Sequence, residues 1–445
     1  MIKGDTMNGE FLFNYSNSMN TEIGDFGISI SDIDNELEKA TSCIQNLRDK
    51  EENGELGFLD VLKDNLDNYE ELKEYSKNFE NLLIIGIGGS NLGLRASESA
   101  ILGSLTSRYD KPKIHYMDNS DPEKTNYILK KLDLENTLVF VISKSGNTIE
   151  TLANFFVVRN LMKKKNFNWT KNIVSITHDG ELKKLTEKEK YIHFDVPKNV
   201  GGRFSVLSSV GLAPMACAQI NIKKLTDGAK LMEKSCKLEN IFKNPALMNS
   251  FIHYMMYNRG KKVSVMMPYI ERLRSFGMWY GQLWAESLGK NGFGQTPVTA
   301  VGATSQHSQL QLYVDGPKDK IVTFLSVKKF KCDLEIEYEY ESAFKGYKMS
   351  EIINSELVGT ENSLKFHNVP TVKIVLDELN EITLGKLFLM YEMQTAISGE
   401  IYGINAFDQP AVEHGKKIAH EFLTKNRSRG MSNELHSKNH VILSK

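Results

Sequence analysis

Four short apolar runs, LLIIGI (82–87), KIHYM (113–117), TLVFVIS (137–143) and NIVSIT (172–177), are separated by segments of helix length. A second set follows: KVSVMMP (262–268), TPVTAVG (296–302), KIVTFLSV (320–327) and TVKIVLD (371–377). Apolar runs of this length, alternating with helical segments, predict parallel sheets with helices on both faces. Residues 203–260 read mostly as helix and bridge the two sets. Residues 1–80 are polar and charge-rich, with stretches such as DIDNELEKATSCIQNLRDK, and predict a helical N-terminal layer. Beyond 381 the chain returns to helix, and SRGMSNELHSKNH (428–440) reads as a frayed tail. The expected fold is therefore α/β: two domains, each a parallel sheet flanked by helices in three layers, with helical additions at both ends. The boundaries read as 1–80 for the N-terminal segment, 81–245 for the first α/β domain with its helical bridge, 246–385 for the second, and 386–445 for the C-terminal segment.

Composition narrows the function classes. At 445 residues the chain is too long for one ordinary core, which agrees with two domains. Hydrophobic residues make up 41% and charged residues 25%, and the formal net charge is -1. No global basic field draws nucleic acid or anionic lipid. The opening MIKGDTMNGE lacks an apolar signal core, and no stretch approaches the ~20 apolar residues of a membrane span. Cys43, Cys217, Cys236 and Cys332 are scattered and form no CxxC pair, which predicts a reduced, cytoplasmic protein without a disulfide or metal framework.

Two polar loops follow predicted strands. The first, GIGGSNLG, has Gly86, Gly88, Gly89 and Gly93. Counting from Gly86, a dinucleotide fingerprint needs a third glycine where Asn91 stands, and a triphosphate loop needs a lysine that is missing after Gly89. What remains is a loop of small residues that allows close approach to a ligand, with the Ser90 hydroxyl at the start of a helix, or else a tight turn with no ligand. The second loop, SKSGNTIET, opens a helix whose apolar face is expected at Ile149, Leu152, Ala153, Phe156, Val157 and Leu161. Ser143, Ser145, Asn147, Thr148 and Thr151 cluster at its start. A cap needs only one of them; the surplus suits a phosphate monoester and its terminal oxygens. Two such loops at strand ends in one sheet point to a single crevice.

Six separated segments carry a resemblance: IGIGGSNLG (85–93), SKSGNTIET (143–151), GGRFSVLSSVGL (201–212), WAESLGKNG (284–292), GATSQHSQLQLY (302–313) and FDQPAVEHGKK (407–417). In this order they resemble the glucose-6-phosphate isomerase (phosphoglucose isomerase) family, in its short, bacterial-type form, over about residues 80–420. The resemblance implies two sugar-isomerase-type domains and reversible aldose–ketose isomerisation of glucose 6-phosphate and fructose 6-phosphate through a cis-enediol(ate), in glycolysis and gluconeogenesis. Gly89, Ser90, Ser143, Ser145 and Thr148 match its phosphate-binding positions, with Lys144 and Thr151 as helpers. Glu286 matches its proton-transferring glutamate, His307 its ring-opening histidine, Lys416 its active-site lysine and Arg203 the arginine near the enediolate. Gln409 matches a ligand-binding position and Glu150 an orienting one. The resemblance also implies a homodimer in which His307 crosses the interface, with no cofactor and no metal. Ala411 departs from the family's usual glycine; one methyl removes no reacting group.

Read without the resemblance, these residues stay open. Glu286 projects at the edge of an apolar stripe of Phe276, Trp279, Tyr280, Leu283 and Trp284, a place a solvated surface glutamate could also take. His307 among serines and glutamines could be a loop hydrogen-bonder, and Arg203 a structural ion pair. Lys416 shares a helical face with Val412, Gly415, Ala419, Phe422 and Leu423, which is uncommon unless its head is paired or reaches out. A non-catalytic sugar-phosphate sensor could lose Glu286, His307 or Lys416; all three are present. A nicotinamide-dependent oxidoreductase is the third alternative, and the missing glycine speaks against it.

Overall fold

The computed structural model describes residues 9–103, 112–165, 167–337 and 342–426. The expected frayed tail at 428–440 lies outside the described residues. Contacts divide the chain into Met1–Ala406 and Phe407–Lys445.

The first unit holds two five-stranded sheets. Strands β2 (Asn81–Ile85), β3 (Lys113–Met117), β4 (Thr137–Ile142), β5 (Ile173–Ile176) and β6 (Ile192–Phe194) form one, in the order β3-β2-β4-β5-β6, all parallel. Every residue of β2, β4 and β5 is buried, as continuous apolar runs covered on both faces must be. The chain passes from β2 to β3 on one side and returns to β4 on the other. The order therefore reverses between the carboxyl ends of β2 and β4, where open α/β sheets bind ligands.

The second sheet has the order β1-β10-β9-β7-β8, built from β1 (Phe11–Asn14), β7 (Val263–Pro268), β8 (Thr296–Thr299), β9 (Lys320–Lys329) and β10 (Thr371–Glu378). Four strands are parallel, and β1 adds antiparallel to the edge at β10. The N-terminal layer thus holds a strand beside its helices, and the second sheet is mixed. FLFN is too short to stand out in a polar region, and the β10 edge pairs it. β6 escaped the sequence pattern for a similar reason: it is three half-buried residues at a sheet edge.

Helices fill the layers around both sheets. The bridge is helical, as expected, over Ser209–Cys217, Ile222–Cys236 and Pro245–Asn258. Glu381–Tyr402 is apolar almost all round and buried along nearly its whole length, packed on 222–236 and 245–258. The helix Ile149–Lys163 buries Leu152, Phe155, Val158 and Met162 in the core of the first sheet and leaves Ile149, Ala153, Val157 and Leu161 exposed. The face expected from the sequence is offset because apolar residues cover two adjoining sides of this helix. Contact with the sheet selects one of them.

The second unit contributes one described helix, Pro410–Asn426.

Candidate active site

The glycine loop after β2 is shaped by what it touches. Gly88 has φ +60°, a conformation that side chains resist, and stands at the start of the helix Gly89–Ser97. A Cβ on Gly89 would sit 2.0 Å from the carbonyl oxygen of Gly202. Only glycine lets this loop close on the segment that leads to Arg203. Asn91, which occupies the place of the missing third glycine, donates from Nδ2 to the Gly86 carbonyl at 2.6 Å and holds the turn shut. Ser90 is half-buried in the first turn of the helix.

The loop after β4 lies alongside, because β2 and β4 are paired neighbours. Ser143 Oγ and Thr148 Oγ1 are 2.8 Å apart. Thr148 occupies the cap position of helix 149–163, yet no side chain caps that helix; its hydroxyl is turned to Ser143 instead. One hydroxyl of the cluster was expected to cap. The Thr151 hydroxyl is buried without a hydrogen-bond partner among the described residues. Ser145 is exposed, and its Oγ accepts from the Asn147 N–H at 3.3 Å. Both helices in this sheet that start at the switch point therefore present backbone N–H groups unclaimed by a side-chain cap. Glu150, in the first turn, is half-buried.

Lys144 is turned aside from these hydroxyls. Its Nζ donates to the carbonyls of Lys198 at 2.8 Å and Val200 at 2.7 Å. Burial pulls its pKa below the usual lysine value.

Arg203 is 2% exposed and is held on three sides. Nε donates to Ser287 Oγ at 2.6 Å, Nη2 to the Ala406 carbonyl at 2.6 Å, and Nη1 faces Glu286 Oε2 at 3.4 Å. Glu286 lies near the end of the helix Arg274–Leu288, which packs on helix 89–97. The aromatic stripe read from the sequence is buried: Phe276, Trp279, Tyr280, Leu283 and Trp284 anchor this helix. Glu286 keeps 27% of its side-chain surface open. Gln282, one turn earlier, donates to the same oxygen, Oε2, at 3.3 Å and closes over Gly88. Oε1 accepts no hydrogen bond among the described residues. One oxygen is thus pinned and the other left available.

His307 follows a 3-10 turn, Thr304–Gln306, after β8 and is exposed. It makes no hydrogen bond or ion pair with Glu286, Arg203 or the loop hydroxyls. Its neighbour Gln306 is fixed: Gln306 Oε1 accepts from Tyr269 OH at 2.7 Å and from Thr360 Oγ1 at 3.0 Å, and Tyr269 OH also donates to Thr360 Oγ1 at 2.8 Å.

In the second unit, Lys416 is exposed and pairs with Glu413 at 2.8 Å. Val412 and Leu423 on the expected apolar face are exposed as well. A lysine on that face was expected to have its head paired or reaching out, and Lys416 does both, exposed and bound to Glu413. Ala411 falls inside the helix and is exposed, where alanine is a good helix former. Gln409 is half-buried just ahead of the helix.

In the first unit the structure therefore brings the loop of Gly89 and Ser90 beside that of Ser143, Ser145, Thr148, Glu150 and Thr151, and sets Arg203 next to Gly89's segment and in contact with Glu286. Sequence reasoning missed Gln282, Ser287 and Asn91. For Gln282 the signal was present: it stands at i−4 from Glu286, one turn away on the same face. No group of three or more His, Cys, Asp or Glu among the described residues is placed to hold a metal ion. No described helix is long and apolar enough to cross a membrane.

Comparison with known proteins fits this arrangement. A family model described as phosphoglucose isomerase matches residues 62–442. A probable glucose-6-phosphate isomerase of Methanococcus maripaludis is 70% identical over 439 residues, covering 99% of this chain and 100% of the relative. The glucose-6-phosphate isomerase of Methanocaldococcus jannaschii is 47% identical over 408 residues, covering 91% and 98%. Among solved structures, a hypothetical protein of Thermus thermophilus superposes with TM-score 0.83 at 31% identity, over 93% of this chain and 99% of that one. A glucose-6-phosphate isomerase of Chlamydia trachomatis gives TM-score 0.72 at 26% identity, over 81% and 73%. With a family match across most of its length and relatives this similar end to end, the chain belongs to the phosphoglucose isomerase family.

Proposed function

We propose that this protein interconverts D-glucose 6-phosphate and D-fructose 6-phosphate through a cis-enediol(ate) intermediate, the step shared by glycolysis and gluconeogenesis. The observation that carries the reading is the Glu286 carboxylate: Oε2 is held by Arg203 and Gln282, while Oε1 accepts no hydrogen bond among the described residues and the side chain is partly open. The helix N-termini after β2 and β4 receive the phosphate through backbone N–H groups and the hydroxyls of Ser90, Ser143, Ser145, Thr148 and Thr151, with Gly89 giving close approach. His307 and Lys416 open the sugar ring: the O1 hydroxyl gives up its proton, and the ring oxygen gains one. Glu286 then takes the proton from C2 of the open aldose and returns it to C1, while O1 gains a proton and the O2 hydroxyl gives one up, which yields the ketose. Arg203 stabilises the negative charge that develops on the enediolate oxygens. Gln409 binds the sugar, and Glu150 orients its neighbours. The reaction so drawn moves protons only and asks for no cofactor or metal.

The homodimer, with His307 supplied to the partner's site, belongs to the same reading. It is supported by the exposure of His307 and its lack of bonds to Glu286 and Arg203. So do a cytoplasmic location, the short bacterial-type form (shared, on the relatives above, with archaea) and the division at 80, 245 and 385. The test is Glu286→Gln: exchange of the substrate C2 proton with solvent is lost while sugar-phosphate binding stays nearly intact. Normal exchange in that variant would remove Glu286 from the role of base.

A further inference from the structure

The phosphate crevice and the proton-transfer group stand at two ends of one chain of contacts, and Lys144 is the link between them. It sits between Ser143 and Ser145, so its backbone is part of the loop that faces the phosphate. Its head group goes elsewhere, to the carbonyls of Lys198 and Val200. Those carbonyls stand five and three residues ahead of Arg203. The segment is also fixed from the far side: Asn199 Nδ2 donates to the Gly54 carbonyl at 2.8 Å, and Val200 is fully buried. Immediately after it, Gly202 lies against Gly89. Arg203 then reaches Glu286.

The loop itself is anchored. The Lys144 carbonyl accepts from the His178 N–H at 3.0 Å, and Gly146 is wedged against the Asp179 carbonyl. A loop held this firmly can transmit its position through a side chain. An ammonium has three donors, and two are committed to these carbonyls, which fixes the direction of the head group. Hydrogen bonds from a charged donor are among the stronger ones, and half-burial strengthens them further.

We propose that Lys144 is a positioning residue, a strut that sets the 198–203 segment, and with it the Arg203 guanidinium, from the phosphate-binding loop. This rests on the proposed phosphate site but differs from the helper role expected from the sequence, in which the lysine charge grips the phosphate directly. The two roles separate in kinetics. Direct grip acts on ground and transition states alike and shows in KM; a strut that places Arg203 acts on the charge that appears only in the transition state and shows in kcat.

The experiment compares wild type, Lys144→Met and Lys144→Arg for kcat and KM on fructose 6-phosphate, with inorganic phosphate as a competitive probe. For Lys144→Met the strut predicts kcat down about tenfold or more while the phosphate inhibition constant stays within about twofold. Lys144→Arg, whose guanidinium can also donate to two carbonyls, recovers part of the lost kcat. Weaker phosphate inhibition matched by a higher KM at unchanged kcat overturns the strut, as does an arginine variant no better than the methionine one. If Lys144→Met does not yield folded protein, Lys144→Gln takes its place in the comparison. Ser145→Ala with Thr148→Ala serves as the control on the site itself. If that pair leaves KM and phosphate inhibition unchanged, the phosphate reading fails, whatever Lys144 does.

Discussion

Arg203 Nε donates to Ser287 Oγ at 2.6 Å, and this bond decides how the guanidinium meets Glu286. Nη2 donates to the Ala406 carbonyl, and Nη1 is the nitrogen that faces the carboxylate, at 3.4 Å. A bidentate arginine–carboxylate pair is much stronger and would hold the glutamate in place. The arrangement keeps the guanidinium beside Glu286 without a two-point clamp on its carboxylate.

Ser287→Ala removes that constraint. Arg203 gains freedom to turn both of its N–H edges onto Glu286, and a buried donor loses its partner. We expect kcat to fall about tenfold with KM little changed, and stability to drop by about 1–3 kcal/mol. Ser287→Thr, which keeps the hydroxyl, restores most of kcat. Steady-state kinetics and thermal melts of the two variants check this; equal loss of kcat in both would contradict it.

Tyr269 governs the loop that presents His307. Burial pushes its hydroxyl up to about 12, so it remains an O–H donor to Gln306 and Thr360 through the neutral range. Tyr269→Phe should lower kcat/KM several-fold, about 1 kcal/mol, and lose little of that effect when His307 is already absent. A double-mutant cycle with His307→Ala measures the coupling. Strict additivity would show that the tyrosine supports the fold alone.

Glu392 is fully buried in helix 381–402, and neither carboxylate oxygen has a hydrogen-bond partner among the described residues. Burial drives its pKa well above the ordinary 4.5. A carboxyl kept neutral by the fold contributes stability below pH 4.5 and loses it as pH rises, because the unfolded chain ionises freely. Glu392→Gln should therefore raise the melting temperature by about a few degrees at pH 8, with the gain fading below pH 4.5. A gain that does not depend on pH would point to packing instead.

His253 works in the opposite sense. It is fully buried, its Nδ1 is 2.8 Å from Gln295 Oε1, and burial lowers its pKa from 6.5 to about 4. Its contribution is fully present above pH 6.5 and is lost as pH falls toward 4, to a total of about 3 kcal/mol. Melting curves of the wild type and His253→Asn between pH 7 and 4 should converge as the pH falls.

Much of this molecule could be read from its sequence. All eight apolar runs contain strands; β2, β4 and β5, buried on both faces, had to be apolar throughout. The glycine loop could be stripped of its nucleotide readings because those cofactors demand residues at fixed places, where Asn91 stands or where no lysine follows. What escaped were relations between distant residues. Arg203 and Ser287 are 84 positions apart, and no local pattern announces their bond. The resemblance gave Lys144 as a phosphate helper, and nothing in the local pattern announces that its head group is claimed by carbonyls 54 and 56 residues away. For Lys416, periodicity reported which residues share its face and nothing of what lies opposite; Val412 and Leu423 on that face are exposed.

The second sheet also reverses its strand order, between β7 and β9. There Tyr269 follows β7, packs its ring on Phe324 of β9 at 5.8 Å and lies under Gly302, where even a methyl would collide. The place left to hydroxyls and uncapped N–H groups in the first half is filled by a side chain in the second. Two sheets of one plan have thus taken up different trades. One leaves hydroxyls and uncapped N–H groups at its reversal. The other sealed its own and became the mount from which a helix carries Glu286 across to its neighbour.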